Sequence, residues 1–262
     1  MRILVTGAGR AIGQATAAEC ARRGHEVVAT ARDPQLLVDL DVAARLPLDV
    51  TDLDSINAAL EAAGELDAVV NNAALQSRGP LEGYPLERLQ AIVDTNTYGP
   101  LRIAQALMPS WRERGSGVFV NVSSIQGQVA TPLEGAYAAS KYALEALSET
   151  MHYELGHFGI RIVIIQPGYI APGMKHGAHH EGPDVYAPLL EAWEGSDTKV
   201  VGPGGRPGSE LVANAIADAI EDPETPLRVP VGADADLILA TRKSLDDAAS
   251  EAAMRTALEL DW

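Results

Sequence analysis

A tyrosine four residues ahead of a lysine, Tyr137-Ala138-Ala139-Ser140-Lys141, is the spacing in this sequence best suited to chemistry. The run around it, continuing through Ala143, Leu144, Glu145, Ala146 and Leu147, reads as helix. On a helix, positions i and i+4 stand one above the other on the same face. A phenol and an ammonium then share one small site. A free phenol titrates near pH ~10, and a fixed positive charge beside it favours the phenolate and brings proton exchange nearer neutrality. Alone, the spacing reads as readily as a half-buried Tyr beside a solvated Lys. It gains weight from Ser124, upstream at the end of a strand-like run, and from Asn96, further upstream in a helical stretch.

These groups meet only if the elements carrying them end in one crevice. Ile3-Leu4-Val5 reads as a buried strand, followed by the turn Thr6-Gly7-Ala8-Gly9-Arg10-Ala11-Ile12-Gly13 and then by helix. Strand, glycine turn and helix start are the context of a dinucleotide-binding unit. Glycines let backbone approach a pyrophosphate, and the helix N-terminus adds free N–H groups and the positive end of its dipole. The second strand spans Glu26 to Thr30 and ends at Ala31-Arg32. An acid at that strand end would hold a ribose 2′-hydroxyl. Here Arg32, with Arg10 in the glycine turn, suits a 2′-phosphate instead, and Asp33 is placed to compete for Arg32.

Further strands are expected at Leu46 to Val50, Asp67 to Ala74, Val118 to Val122, Arg161 to Ile165 and Leu227 to Val231. Helices are expected at Asp52 to Ala63, Leu86 to Arg114, Gly135 to His157 and Ser209 to Ile220, with a helical C-terminal region. Gly99-Pro100 distorts the long stretch one turn after Asn96, because proline has no N–H. Near-continuous apolar strands alternating with helices predict an α/β fold: a parallel sheet of about seven strands covered on both faces. The reading is one NAD(P)-binding domain over residues 1–262, with a Gly-, Pro- and His-rich lid at about 171–207. His176, His179 and His180 in that lid lack a close third ligand and read as solvated, so no metal is expected. Glu251 and Arg255 read as an exposed i,i+4 pair.

Composition narrows the function classes. Of 262 residues, 47% are hydrophobic, enough for a sizeable core, and only 5% are aromatic, so aliphatic residues must fill it. Asp and Glu number 36 against 20 Lys and Arg, a net charge of −16, which opposes binding to nucleic acid and to anionic membranes. Cys20 is the only cysteine, no apolar run approaches the ~20 residues of a membrane span, and strand character begins at once after Met1. These features suggest a cytoplasmic protein.

In this order, the pieces resemble the short-chain dehydrogenase/reductase family in its compact single-domain branch, over almost the whole chain. The carriers are Thr6-Gly7 with Ala11-Ile12-Gly13, Asp49, Asn71-Asn72-Ala73, Asn96, Ser124, Tyr137 with Lys141, and Pro167-Gly168. The run from Tyr137 to Gly168 and the later Arg228 to Gly232 look most like members resembling 17β-hydroxysteroid and retinol dehydrogenases. The resemblance implies that Tyr137 is the acid/base and that Lys141 holds the nicotinamide ribose and lowers the tyrosine pKa. Ser124 would bind the substrate oxygen, and Asn96 would anchor a water linking Lys141 to solvent. It implies that Gly7, Ile12 and Gly13 shape the pyrophosphate turn, and that Asp49 and Val50 meet the adenine. Asn72 and Ala73 would meet the adenine-side ribose, and Pro167, Gly168 and Ile170 the nicotinamide. Basic residues at Arg10 and Arg32 mark members that prefer NADP.

Three positions depart from the family pattern: Ala11 and Ala74, where glycine is usual, and Pro172, where many members have threonine. The functional expectation is an NADP(H)-dependent oxidoreductase, with NAD(H) a possible substitute, for a medium-sized, mainly apolar alcohol or ketone. Its walls would be Leu75 to Arg78, Gln126 to Leu133 and Tyr169 to Trp193. A homodimer or homotetramer is expected through apolar faces at Leu101, Ala104, Leu107 and Met108 and at Ala143, Leu147, Met151 and Leu155. The alternative is a non-catalytic dinucleotide-binding regulator on the same fold; retention of Ser124, Tyr137, Lys141 and Asn96 together argues against it. An epimerase or dehydratase would call for a longer chain.

Overall fold

The computed structural model describes residues 1–174, 182–194 and 205–259. Seven strands form one parallel sheet: β1 (Arg2–Val5), β2 (Glu26–Ala31), β3 (Ala44–Pro47), β4 (Ala68–Asn71), β5 (Gly117–Val122), β6 (Ile160–Pro167) and β7 (Arg228–Val231). Their order across the sheet is β3-β2-β1-β4-β5-β6-β7. The chain winds outward from β1 in one direction through β3, then returns to β4 on the other side of β1. This reversal opens a crevice at the carboxyl ends of β1 and β4, where open α/β sheets bind ligands.

Alternation along the strands distributes the core between the two faces. Ile3, Val5, Val27, Ala29, Val70, Val120, Val163 and Ile165 point to one face, under α1 (Ala11–Arg22) and α7 (Ser209–Glu221). Leu4, Val28, Val69, Phe119 and Ile162 point to the other, under α2 (Leu53–Ala63), α4 (Gly99–Arg114) and α5 (Gly135–Leu155). Both faces are covered, so β4, β5 and most of β6 are buried along their length, and the apolar runs read in the sequence follow from this.

Several boundaries differ from expectation. β3 covers Ala44–Pro47 rather than Leu46 to Val50, because Val28 pairs with Ala44 and Ala31 with Pro47; Leu48 then makes a last bond to Ala31. Asp49 and Val50 consequently lie in the turn beyond the strand, with Asp52 capping α2 through Asp54 N and Ser55 N. The long helical stretch is three pieces: α3 (Leu86–Val93), a π-helical turn at Asp94–Tyr98, and α4. The distortion therefore contains Asn96 instead of following it. Pro100 has no N–H for the Asn96 carbonyl four residues back, and the Gly99 N–H reaches Asp94 O, five residues back.

The predicted lid at about 171–207 is partly structured. Among its described residues, α6 (Ala187–Glu194) packs Leu189 and Trp193 against Leu133. His176, His179 and His180 lie outside the described residues. The C-terminal region forms α8 (Ala233–Ser244) and α9 (Asp247–Leu258), and Glu251 and Arg255 pair at 3.0 Å. Among the described residues no helix is long and apolar enough to cross a membrane.

Six of the eight residues named for the expected association face are already used inside the chain. Ala104, Met151 and Leu155 are buried in the core, and Leu101, Leu107 and Met108 pack against it. The reason is that α4 and α5 cross the sheet face over Phe119 and Ile162 and need those side chains to cover it.

Close packing makes one glycine decisive. A Cβ on Gly117 would stand 2.0 Å from Trp111 Cε3. Trp111 itself is buried, and its ring centroid lies 4.3 Å from that of Phe119. Gly117→Ala is therefore expected to lower the unfolding free energy by about 1–3 kcal/mol through overpacking, measured as a shifted urea midpoint. An unchanged midpoint would mean that Trp111 yields freely.

Candidate active site

The first turns of α5 carry Tyr137 and Lys141 under the sheet at the end of β5. Both side chains are buried, Tyr137 at 6% exposure and Lys141 at 2%. Lys141 Nζ donates to the carbonyl of Val122, the last residue of β5, at 2.7 Å, and lies 5.6 Å from the Tyr137 ring centroid. Ser124, two residues past the strand, is extended, and its hydroxyl accepts from Gln126 N at 3.1 Å. The Ser124 hydroxyl also lies close enough to the Tyr137 phenol to favour its ionised form. Sequence spacing thus brings Ser124, Tyr137 and Lys141 together.

Asn96 joins them indirectly. Its Oδ1 accepts from Leu75 N at 2.7 Å, and its Nδ2 donates to Leu75 O at 2.9 Å and to Ser140 Oγ at 3.0 Å. Ser140 Oγ in turn donates to Tyr137 O at 2.7 Å. Asn96 therefore clamps the loop after β4 to the helix that holds Tyr137. The π-turn positions it, and Gly99 allows that turn to sit against Val50: a Cβ there would stand 2.8 Å from Val50 Cγ2.

The electrostatics differ from the expectation raised by the Tyr/Lys spacing. Burial pushes the Tyr137 phenol well above its ordinary range, the Glu134 carboxylate pushes it further, and the nearby Ser124 hydroxyl opposes both. The nearby ammonium does not lower it, because desolvation of a fully buried phenolate outweighs attraction across the ring. Burial also pulls Lys141 down to about 8, with the Glu145 carboxylate opposing. Glu145 is itself buried, accepting from Gln166 Nε2 at 2.9 Å and Arg228 Nε at 2.8 Å.

The glycine turn forms a backbone cradle. Gly7 takes φ +65°, and a Cβ on Gly13 would lie 2.3 Å from Gly7 O. Thr6 Oγ1 accepts from Asn72 N at 2.9 Å and Ala73 N at 3.0 Å, and Asn72 Nδ2 donates to Thr6 O at 3.0 Å and Gly7 O at 3.2 Å. The Asn72 side chain thus holds the turn. Ala11 adopts φ 45°, a conformation that costs a non-glycine residue about 1–2 kcal/mol. The local geometry that glycine gives other members is kept here at that cost.

Arg10 and Arg32 are both exposed, and among the described residues neither side chain makes a hydrogen bond or ion pair. Asp33 does not take Arg32: its carboxylate caps the following turn, accepting from Gln35 N at 3.0 Å. Asp49 is held below the usual carboxylate range; burial works against this, and Thr51 hydrogen bonds and the Arg32 charge outweigh it. On the far side, Pro167 ends β6, Gly168 N donates to Val231 O at 3.0 Å, and Ile170 is buried. Gly168 has no room for a side chain, since a Cβ would stand 2.2 Å from Asp234 Oδ2. Tight glycines, a helix N-terminus and two uncommitted guanidiniums fit a phosphorylated dinucleotide.

A family model described as short chain dehydrogenase matches residues 1–182. The chain belongs to the short-chain dehydrogenase family. Retinol dehydrogenase 8 of Homo sapiens is 35% identical over 179 residues, covering 63% of this chain and 58% of that protein, which bears out the expected likeness. The solved structure of a short-chain dehydrogenase from Streptomyces avermitilis matches with a TM-score of 0.83 at 32% identity, covering 99% of this chain and 97% of that one. A short chain dehydrogenase from Burkholderia cenocepacia J2315, solved in complex with NADP, matches with a TM-score of 0.77 at 25% identity, covering 97% and 96%. As a short-chain dehydrogenase, this protein is an oxidoreductase of the CH–OH/C=O class on a Rossmann-type sheet.

Sequence reasoning missed the buried carboxylates of this dehydrogenase. Glu134 is wholly buried three residues before Tyr137, and Glu145 lies one turn after Lys141. The i−3 and i+4 spacings were the available signal; burial was not readable, because both residues look like an ordinary polar helix face.

The lysine yields a pH test. Unfolded Lys141 titrates at 10.5 and folded Lys141 at about 8, so between those values the unfolded chain binds the extra proton. Stability contributed by this group therefore rises with pH across that window, by about 3 kcal/mol, and is flat below it. Subtracting the stability–pH profile of Lys141→Met from that of the parent protein should leave this rise. A flat difference would contradict the burial of a charged lysine.

Proposed function

We propose that this dehydrogenase moves a hydride between NADP(H) and a medium-sized, mainly apolar secondary alcohol, ketone or aldehyde. The observation that carries the reading is the convergence of the half-buried Ser124 on the buried Tyr137, with buried Lys141 5.6 Å from the centre of the same ring. The nicotinamide supplies or accepts the hydride. In reduction, Ser124 and Tyr137 hydrogen-bond the carbonyl oxygen, and the Tyr137 phenol gives that oxygen its proton. In oxidation, the proton travels the other way. A phenol held protonated through neutral pH suits the acid role. Lys141, with a water anchored at Asn96, would return the proton from solvent, and Lys141 would also hold the nicotinamide ribose.

Gly7, Ile12 and Gly13 would bear the pyrophosphate at the N-terminus of α1. Asp49 and Val50 would face the adenine, Asn72 and Ala73 its ribose through backbone, and Pro167, Gly168 and Ile170 the nicotinamide. Arg10 and Arg32 would take a 2′-phosphate. The NADP complex of the Burkholderia cenocepacia relative supports that choice. The same reading makes residues 1–262 one catalytic domain, working in the cytoplasm. Association as a homodimer or homotetramer would use the exposed Tyr98, Tyr142 and Tyr153, since much of the aliphatic face is spent inside the chain. A non-catalytic regulator would have no use for four polar groups held this closely.

Two tests follow from these assignments. Tyr137→Phe should abolish turnover and leave NADPH affinity within a few fold, checked by steady-state kinetics and by cofactor fluorescence titration. Near-full kcat in that variant would remove Tyr137 from the mechanism. Charge-assisted hydrogen bonds from two guanidiniums, at roughly 1.5–3 kcal/mol each, are enough for a preference on the order of a hundredfold. NADPH should therefore exceed NADH in kcat/KM, and Arg32→Asp should narrow or reverse the ratio. An unchanged ratio in Arg32→Asp combined with Arg10→Ala would make both arginines plain surface charge.

A further inference from the structure

One group of polar side chains in the expected crevice wall carries hydrogen-bond donors that the proposed proton transfer does not use. It joins the loop after β4 to the residue before α5. The Glu134 carboxylate, wholly buried, accepts from Gln76 Nε2 at 2.6 Å and from Arg78 Nε. Gln76 is also buried, and the Arg78 side chain is 22% exposed. The guanidinium carbon of Arg78 lies 6.0 Å from the ring centroid of Trp193, from α6. Gly79 N donates to Leu133 O at 2.9 Å, fastening the two segments together, and Leu133 packs with Trp193. Arg78 therefore stands where all three wall segments meet, and its carboxylate partner is close enough to Tyr137 to act on the phenol.

This arrangement is costly if it only fills space. A buried ion pair is commonly no more stabilising than apolar residues of the same volume. What it leaves available is specific. Glu134 engages Nε, and among the described residues the two terminal nitrogens of Arg78 make no hydrogen bond. Glu134 also cancels the net charge of the guanidinium. The cluster thus presents oriented N–H donors with little net positive field, within a protein of net charge −16. With the guanidinium charge balanced by Glu134, the remaining N–H groups still donate to a neutral oxygen, and the added attraction that would favour an anion is largely removed.

We propose that Arg78, seated on Glu134 and Trp193, selects substrates that carry a second, neutral carbonyl oxygen away from the reacting carbon, as in a keto ester. This deepens the functional reading above and rests on it. Gln76 and Glu134 act as positioning residues: they hold the guanidinium fork and do not touch the substrate. The rest of the substrate contacts apolar wall, so chain length is tolerated more than loss of the second oxygen.

The test uses the full chain with NADPH and three substrates of similar length: 2-heptanone, methyl 3-oxopentanoate and 3-oxohexanoate. Arg78→Met/Glu134→Gln removes both charges, leaving no carboxylate buried alone, and Arg78→Lys keeps a donor without the fork. Circular dichroism and thermal melting establish that each variant is folded. We expect the ester-to-ketone ratio of kcat/KM to fall about tenfold in the double variant, mainly through KM, because one oriented hydrogen bond is lost. Arg78→Lys should give an intermediate ratio. Intrinsic reactivity differences between the substrates cancel, since the comparison is between proteins.

An unchanged ratio in the double variant, or in Arg78→Lys should the double variant not fold, would overturn the proposal. Equal losses on ester and ketone would also overturn it, by making the cluster structural only. A parent protein that prefers the oxo acid, with that preference lost on substitution, would overturn the neutral-acceptor assignment. Failure of the parent protein to reduce any of the three would fall on the functional reading beneath it.

Discussion

The burial of one ammonium organises the candidate active site. Lys141, at 2% exposure, spends a donor on the last carbonyl of β5, and that bond sets how α5 meets the sheet. Tyr137, one turn earlier on the same face, is thereby brought to the loop where Ser124 follows the strand. A charge so placed requires support, and it comes from beyond the site. Glu145, one turn later, lends a carboxylate that is itself held by Gln166 on β6 and Arg228 on β7. Three adjacent strands thus contribute to keeping a single lysine charged where water is scarce.

The glycine turn rests on sterics rather than charge. Gly13 and Gly7 approach too closely for any side chain, and Asn72, just past the neighbouring strand, locks the turn through its bonds to Thr6. Ala11 tolerates a left-handed backbone there because the turn is fixed on both sides of it. The two halves of the crevice, one stiffened by close backbone and the other by buried charge, are joined by Asn96. Its side chain ties the loop after β4 to α5 through Ser140.

Much of this was legible in the sequence because it depends on local spacing. The βαβ start, the alternation of apolar strands with helices, and the convergence of Ser124, Tyr137 and Lys141 follow from periodicity and position. What was not legible depends on burial. The Tyr137 phenol is raised rather than lowered, since desolvation exceeds a charge effect that spacing alone suggests. Ala104, Met151 and Leu155 read as an association face and proved to be core, because helix periodicity does not say which neighbour a face meets. The π-turn at Asn96 was foreseen as a kink but misplaced by a turn, since proline acts on the carbonyl four residues before it. Glu134 was unremarkable in sequence and acquires meaning only from Gln76 and Arg78, which the fold brings to it.

The central claim is that Ser124, Tyr137 and Lys141 work as one unit. Its most direct test is the additivity of their removal, with kcat measured for Ser124→Ala, Tyr137→Phe and Lys141→Met singly, in pairs and all together. The account predicts strongly non-additive losses, with the triple variant within about tenfold of the most damaged single one. Losses that multiply through the series would mean three independent contributions and would contradict it.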